Sequence, residues 1–207
     1  MPYVPLTLDA ATSPRVLNTV RRLEAHFFSD VHCMLRLPIP NYRLFAGCNF
    51  AITQVLTAAI GGISTTLYSH SGSKGQRFRG VLTDYYPWDR DPPSPLTAAQ
   101  RADIIYSIVR NPLTHDLGLD LEKKAKTPQV KIKRLGTNNK TRGLPERTIE
   151  RLEATHRRFA MSGTVVVRAD ATVVLVEALY WGLRCLVESL TRDSARMAQA
   201  EAFLAKL

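Results

Sequence analysis

The run LFAGCNFAITQVLTAAIGGISTTLYSHSGS, residues 44–73, decides the fold because it contains no Lys, Arg, Asp or Glu. An uncharged run of that length is either a membrane span or the central helix of a packed bundle. Asn49, Thr53, Gln54, Thr57, Ser64, Thr65 and Thr66 interrupt it, and Gly61 and Gly62 sit in its middle. That mixture favours a core helix over a span, so no membrane contact is expected. The spacing predicts a helix over 42–68, with Phe45, Cys48, Ile52, Val55, Ala59 and Ile63 on one face. Phe50, Leu56 and Ile60 widen that face, which implies neighbours on several sides.

Working outward, Ser13 can cap and Pro14 can open an earlier helix. Leu17, Val20, Leu23 or Phe27, Val31 and Met34 recur along it, and Pro38 and Pro40 end it. Downstream, residues 70–75 read as a loop and 76–86 as a short helix presenting Phe78, Val81, Leu82 and Tyr85. The segment from Pro87 to Pro93 stops it, because proline lacks an N–H donor and restricts its predecessor. Ser94 or Thr97 can then cap a helix carrying Ala98, Ala102, Ile105 and Ile108. Val130 to Leu135 alternates like a strand, and the β-branched run Thr164 to Arg168 is a candidate partner for it. Asp170 is expected to cap a final helix through Val174, Ala178, Trp181 and Cys185, with a further turn or two reaching Leu204. The fold class is therefore mainly all-α, a helical bundle with a small β-hairpin in the C-terminal half.

Composition is that of a globular chain, 45% apolar and 22% charged over 207 residues. The formal net charge of +10 is high and points to an anionic partner. Most of it lies in residues 121–158, where 12 Lys plus Arg face 4 Glu and no Asp. Lys131, Lys133, Arg134, Lys140 and Arg142 are the candidate nucleic-acid contacts there. Cys33, Cys48 and Cys185 are odd in number and widely spaced, so neither a disulfide framework nor a zinc cluster is expected. A reducing, cytoplasmic setting fits them. The first residues, Met1 to Pro5, lack the charged and apolar regions of a signal peptide.

One helix end carries the chemistry. Ala102 to Asp116 reads ADIIYSIVRNPLTHD, an apolar helix that delivers Arg110 and Asn111 into Pro112, with His115 just beyond. In an unbroken α-helix, residues five apart point in different directions, roughly 140° apart around the axis. A break at Pro112 can turn His115 back toward Arg110. Arginine keeps its charge and offers a fork of donors to phosphate oxygens, and histidine exchanges a proton near neutral pH. That pair suits phosphodiester cleavage. Asn111 can hold the break or contact substrate, and Tyr106, one turn before Arg110, is placed to line the cleft.

Arg110, Asn111 and His115, an Arg-Asn-x-x-x-His pattern at the end of an apolar helix, resemble the signature of the HEPN superfamily. The segment Arg77 to Pro87, followed by Ile104-Ile105-Tyr106, is similar to uncharacterised bacterial members. The resemblance spans residues 15–118 and divides the chain into a core over 12–120, a basic insertion over 121–168 and helices over 169–207 that complete the bundle. It implies a dimer with the motif gathered in an interfacial cleft. It also implies a metal-independent endoribonuclease of toxin–antitoxin, antiphage or RNA-processing systems, although other relatives bind without cutting. On that reading RNA is the substrate and no cofactor is needed. His115 moves the proton, Arg110 stabilises phosphoryl charge, and Asn111 orients the phosphate or the histidine. The rival is a HEPN-like module that binds nucleic acid, nucleotide or protein; an antitoxin is a candidate protein partner.

Other residues are weaker candidates. His70 lies between Ser69 and Ser71 but lacks a nucleophile elbow, so it reads as a loop histidine. Tyr85, Tyr86 and Trp88 could stack bases, but anchoring the linker to the core is the preferred reading. His26 and His32 are poorly spaced for a shared metal.

Overall fold

Ser13 and Pro14 begin the first helix as their chemistry favours: the Ser13 hydroxyl accepts from the Val16 amide, and Pro14 occupies the first helical position. In this computed structural model, residues 3–9, 12–36, 48–111, 129–133, 163–169 and 171–207 are described. Helix α1 comprises Pro14–Leu23, a π-helical turn at Glu24–Phe28, and Ser29–Arg36. The π turn bonds each carbonyl to the fifth residue on instead of the fourth. Its wider turn shifts the buried face, so Phe28 is the fully buried aromatic and Phe27 only flanks the core.

Helix α2 comprises Asn49–Ile63 and a second π-helical turn, Ser64–Tyr68. Its start differs from the sequence expectation. Residue Cys48, with φ of 55°, turns the chain left-handed immediately before the helix, and residues 37–47 lie outside the described residues. Asn49–Tyr68 is long and apolar enough to cross a membrane, but Ile52, Leu56, Ile60, Ile63 and Leu67 are packed inside this protein. Phe50 is the exception to the expected wide face, standing half-exposed at the first turn. Thr53, Thr57, Ser64, Thr65 and Thr66 satisfy their hydroxyls by donating to carbonyls three or four residues back.

Helix α3, Lys74–Tyr85, opens on a capping box in which the Ser73 hydroxyl accepts from Gln76 N while Gln76 Oε1 accepts from Ser73 N. A 3₁₀ turn at Trp88–Arg90 crosses the proline-rich linker. Helix α4 repeats the capping logic with Thr97 and Gln100. It runs as α-helix over Ala98–Asp103 and as π-helix over Ile104–Arg110.

The C-terminal half holds a three-stranded sheet and two helices. Strands β1 (Gln129–Lys133), β2 (Val165–Val167) and β3 (Ala171–Leu175) lie in the order β1-β3-β2. The expected hairpin is present, but its strands are β2 and β3, paired antiparallel. The pairing of 130–135 with 164–168 is therefore corrected: β1 runs parallel to β3 instead. In β3 every residue is buried, with Val174 joining the helical core and Val173 and Leu175 packing with Val166 and Ala178 on a second cluster. A strand covered on both faces shows no alternation, so its residues read as the start of the last long helix.

That helix, α5, instead spans Val176–Leu190, with no side-chain cap. All its residues are buried except Glu188 and Ser189. It packs against α2 and α3 and so occupies the centre of the bundle. Helix α6, Ser194–Leu204, is capped by Asp193 and packs on α1 and the π turn of α2.

Candidate functional site

The π-helical end of α4 positions the candidate site. Across Ile104–Arg110 the carbonyls bond five residues ahead, and the Asn111 amide still donates to the Tyr106 carbonyl. Ile105 and Val109 anchor the turn in the core. Tyr106, Ser107, Arg110 and Asn111 are left half-buried. Stretches of π-helix are costly relative to α-helix and concentrate at functional positions.

Arg110 is held on two sides. Its Nη1 donates to Asn111 Oδ1 at 3.0 Å, and its guanidinium carbon lies 5.7 Å from the Tyr106 ring centroid. Those contacts restrict a long side chain before any ligand arrives. Asn111 thus grips the arginine through its amide oxygen.

Tyr106 has its own support. Phe78 packs against its ring at 5.2 Å between centroids, and Arg79 of α3 stacks its guanidinium carbon 4.2 Å from the ring centroid. Gly75, in the first turn of α3, allows this approach: a Cβ there would stand 2.7 Å from Tyr106 Oη. Arg79 Nε donates to Asp103 Oδ1 at 2.7 Å, and its Nη2 to Ser107 Oγ at 3.1 Å. Ser107 Oγ donates in turn to Asp103 Oδ1 at 3.0 Å. The site described here is therefore two guanidiniums gathered on one tyrosine.

Of the residues expected from sequence, Arg110, Asn111 and Tyr106 come together. His115, Arg134, Lys140 and Arg142 lie outside the described residues. Lys131 and Lys133 stand in β1, in register with Val173 and Leu175 of β3. Arg79, Asp103 and Ser107 were not singled out by sequence. The i, i+4 spacing of Asp103 and Ser107 was a readable signal, but Arg79 reaches them only through the packing of α3 on α4.

The remaining candidates have structural roles. His70 stacks on Phe203 at 3.9 Å between ring centroids. Tyr86 and Trp88 anchor the linker: Trp88 Nε1 donates to Leu82 O at 2.7 Å, and Tyr86 Oη donates to Ala178 O at 3.0 Å. Tyr86 Oη also lies 2.6 Å from Thr164 Oγ1, joining the linker to the strand region. Burial pushes the Tyr86 phenol well above its ordinary range. Beneath it Asp91 accepts from the Thr164 amide at 2.9 Å and pairs with the buried Arg101 at 3.5 Å, while Arg101 stacks on Trp88. Burial raises the Asp91 carboxyl, and the Thr164 and Arg101 contacts oppose that rise. Tyr85 Oη donates to Asp193 Oδ2 at 2.5 Å, which lowers the Asp193 carboxyl and ties α3 to the cap of α6. His26 is exposed, whereas His32 is buried edge-on to Tyr3.

The three cysteines are free thiols. Among the described residues, no group of three His, Cys, Asp or Glu side chains is placed to hold a metal ion. No protein-family model, curated protein or solved structure matches the chain.

Proposed function

We propose that this chain acts on RNA at the Arg110 end of α4, as a metal-independent endoribonuclease. The observation that carries the reading is the guanidinium of Arg110, half-buried and held by Asn111 Oδ1 and the Tyr106 ring. An arginine ordered in this way can meet non-bridging phosphate oxygens with little further loss of freedom. The HEPN-like pattern of Arg110, Asn111 and His115 supplies the cleavage step. The basic content of residues 121–158 supplies long-range attraction for the backbone.

In the proposed reaction the RNA 2′-oxygen attacks the adjacent phosphorus, and the bond from phosphorus to the 5′-oxygen breaks. The 2′-hydroxyl loses its proton and the leaving oxygen gains one. His115 performs one of these transfers and its counterpart in a second copy performs the other. Arg110 stabilises charge growing on the phosphoryl oxygens. The products are a 2′,3′-cyclic phosphate and a 5′-hydroxyl. Antitoxin-controlled or antiphage RNA cleavage is the setting that this chemistry and the resemblance suggest.

A second reading is a module that binds RNA without cutting it. It draws on the same packing, since a guanidinium fixed by an amide and an aromatic ring holds phosphate with or without an acid–base partner. The two separate when purified protein is incubated with mixed RNA in chelator and the product ends are analysed. Cleavage predicts cyclic phosphate ends, with the rate reduced on the order of 10²-fold or more in folded Arg110→Ala and His115→Ala. Uncut but bound RNA selects the binding module. Equal cutting by both variants and wild type rules out this site.

A further inference from the structure

Residues 3–7 cross α1 and α5 as a strap that forms neither helix nor strand. Charged side chains hold it mainly by its main chain. The Leu6 amide donates to Glu24 Oε1 at 2.6 Å, the Thr7 amide donates to Glu188 Oε1 at 2.9 Å, and Arg184 Nη2 donates to the Val4 carbonyl. Tyr3 Oη also donates to Glu24 Oε1, at 2.9 Å. Leu6 is buried in the helical core and Tyr3 is half-buried, whereas Val4, Pro5 and Thr7 are exposed. A groove that grips main-chain groups fixes the spacing of a segment more than its side chains. Another segment with a leucine in the place of Leu6 therefore fits it.

The strap leaves one side chain of this groove without its complement. Arg184 is buried beneath it, in contact with the Val4 carbonyl and the rings of Tyr3, Phe28, Tyr180 and Trp181. Among the described residues its Nε and Nη1 have no hydrogen-bond partner, and no carboxylate pairs with it. Rings and one carbonyl do not replace the water that a guanidinium loses on burial, and unused buried donors are costly. Glu24 and Glu188 are engaged by the strap itself. The Tyr3 ring centroid lies 4.9 Å from the Arg184 guanidinium carbon. A glutamate side chain extends from Cα about as far as the centre of a tyrosine ring. In the place of Tyr3 it brings a carboxylate beside Arg184 and stops short of Glu24, which the phenol oxygen reaches.

We propose that the groove between α1 and α5 is a docking site for an acidic, extended segment of another protein, and that the strap is its intramolecular placeholder. The segment places a leucine where Leu6 sits and a glutamate three residues earlier, where Tyr3 sits. Its amides take the bonds of Glu24 and Glu188, and its carboxylate pairs with the open donors of Arg184. The net charge of +10 favours the approach of an acidic partner. This site is separate from Arg110 and does not depend on the RNA reading.

The test uses the full chain and two fluorescein-labelled peptides of residues 1–9, one with Tyr3→Glu and one with Tyr3→Gln. Anisotropy is measured on wild type, on two variants that loosen the strap, Leu6→Ala and Thr7→Pro, and on Thr7→Pro combined with Arg184→Met. Leu6→Ala removes the buried anchor. Thr7→Pro removes the amide that Glu188 holds and leaves the core intact, so it serves even where Leu6→Ala fails to fold. In wild type the strap competes at high effective concentration, so the Tyr3→Glu peptide should bind at least about tenfold more weakly than it binds the loosened chains. On the loosened chains it should bind about tenfold more tightly than the Tyr3→Gln peptide, through charge-assisted bonds, and Arg184→Met should erase that preference. A strap that only packs the N-terminus predicts no peptide binding by folded Thr7→Pro, and that result overturns the docking site. Equal binding by wild type and Thr7→Pro overturns it too, because the peptide then sits elsewhere. Equal affinity for the two peptides, or a preference that survives Arg184→Met, overturns the pairing with Arg184.

Discussion

Arg184 and Arg110 both pack against aromatic rings, but the two regions use that contact for different ends. Arg184 is 1% exposed on α5, within 6 Å of the centroids of Tyr3, Phe28, Tyr180 and Trp181. It donates through Nη2 to the Val4 carbonyl, and among the described residues its Nε and Nη1 have no hydrogen-bond partner. Tyr3 Oη and the Leu6 amide donate to Glu24, and the Thr7 amide to Glu188, so residues 3–7 form a strap across α1 and α5. At the end of α4, Arg110 and Arg79 share one half-exposed ring. Aromatic stacking alone therefore marks no ligand site; what separates the two arginines is burial, complete at Arg184 and only partial at Arg110.

The largest stability effect should come from the buried arginine. Arg184→Ala removes its stem from the aromatic cage and leaves a cavity under the strap, costing about 3 kcal/mol in urea unfolding. Arg184→Met keeps much of the volume and removes the buried charge, so it should recover most of that loss. A loss below about 1 kcal/mol in Arg184→Ala would show that the strap and cage contribute little.

Gly182→Ala comes next. A Cβ at that position would stand 2.0 Å from Tyr86 Oη, which bonds Ala178 and Thr164. Overpacking there should cost about 2–3 kcal/mol. Tyr86→Phe in the Gly182→Ala background should return part of it, and a double variant no more stable than Gly182→Ala would contradict this placement.

Alkaline pH acts on the buried regions as a group. Burial is the largest cause of the raised phenol pKa at Tyr3, Tyr85 and Tyr86, and with Asp84 it pushes Tyr68 up to about 12. The folded state keeps protons that the unfolded chain releases near pH 10. The stability from these groups is thus complete below about pH 10 and is lost as pH rises through the raised folded values. Denaturant midpoints should fall as pH rises from 10 toward 12, with phenolate absorbance appearing together with unfolding. Phenolate absorbance complete near pH 10 in a still-folded protein would contradict it.

The smallest stability effect belongs to the candidate site. Arg110→Gln should change unfolding free energy by no more than about 0.5 kcal/mol, as expected for a partly exposed side chain away from the core. A loss comparable to that of Arg184→Ala would place Arg110 among the structural arginines.

Much of this architecture could be read from local chemistry. Ser13-Pro14, Thr97 as one of two candidate caps, and the uncharged run around Ile52 to Ile63 each specify their elements by capping or burial. The π turns could not, because a shift from four-residue to five-residue bonding leaves no periodic mark in a stretch as short as Ile104–Arg110. Strand β3 was obscured because Val173, Val174 and Leu175 run without a break into the apolar residues of α5. At the site, the grouping of Arg110 with Asn111 and Tyr106 was local and readable, whereas the place of Arg79 depends on helix packing. The strap has the same difficulty: nothing near Val4 in sequence names Arg184 as its partner.

The most direct test compares RNA product ends after incubation of wild type, Arg110→Ala and Arg184→Met in chelator, each first shown to be folded. The account predicts 2′,3′-cyclic phosphate ends from wild type and Arg184→Met. Arg110→Ala should lose cleavage while its melting temperature stays within about 2 °C of wild type. Undiminished cyclic phosphate formation by folded Arg110→Ala would contradict it.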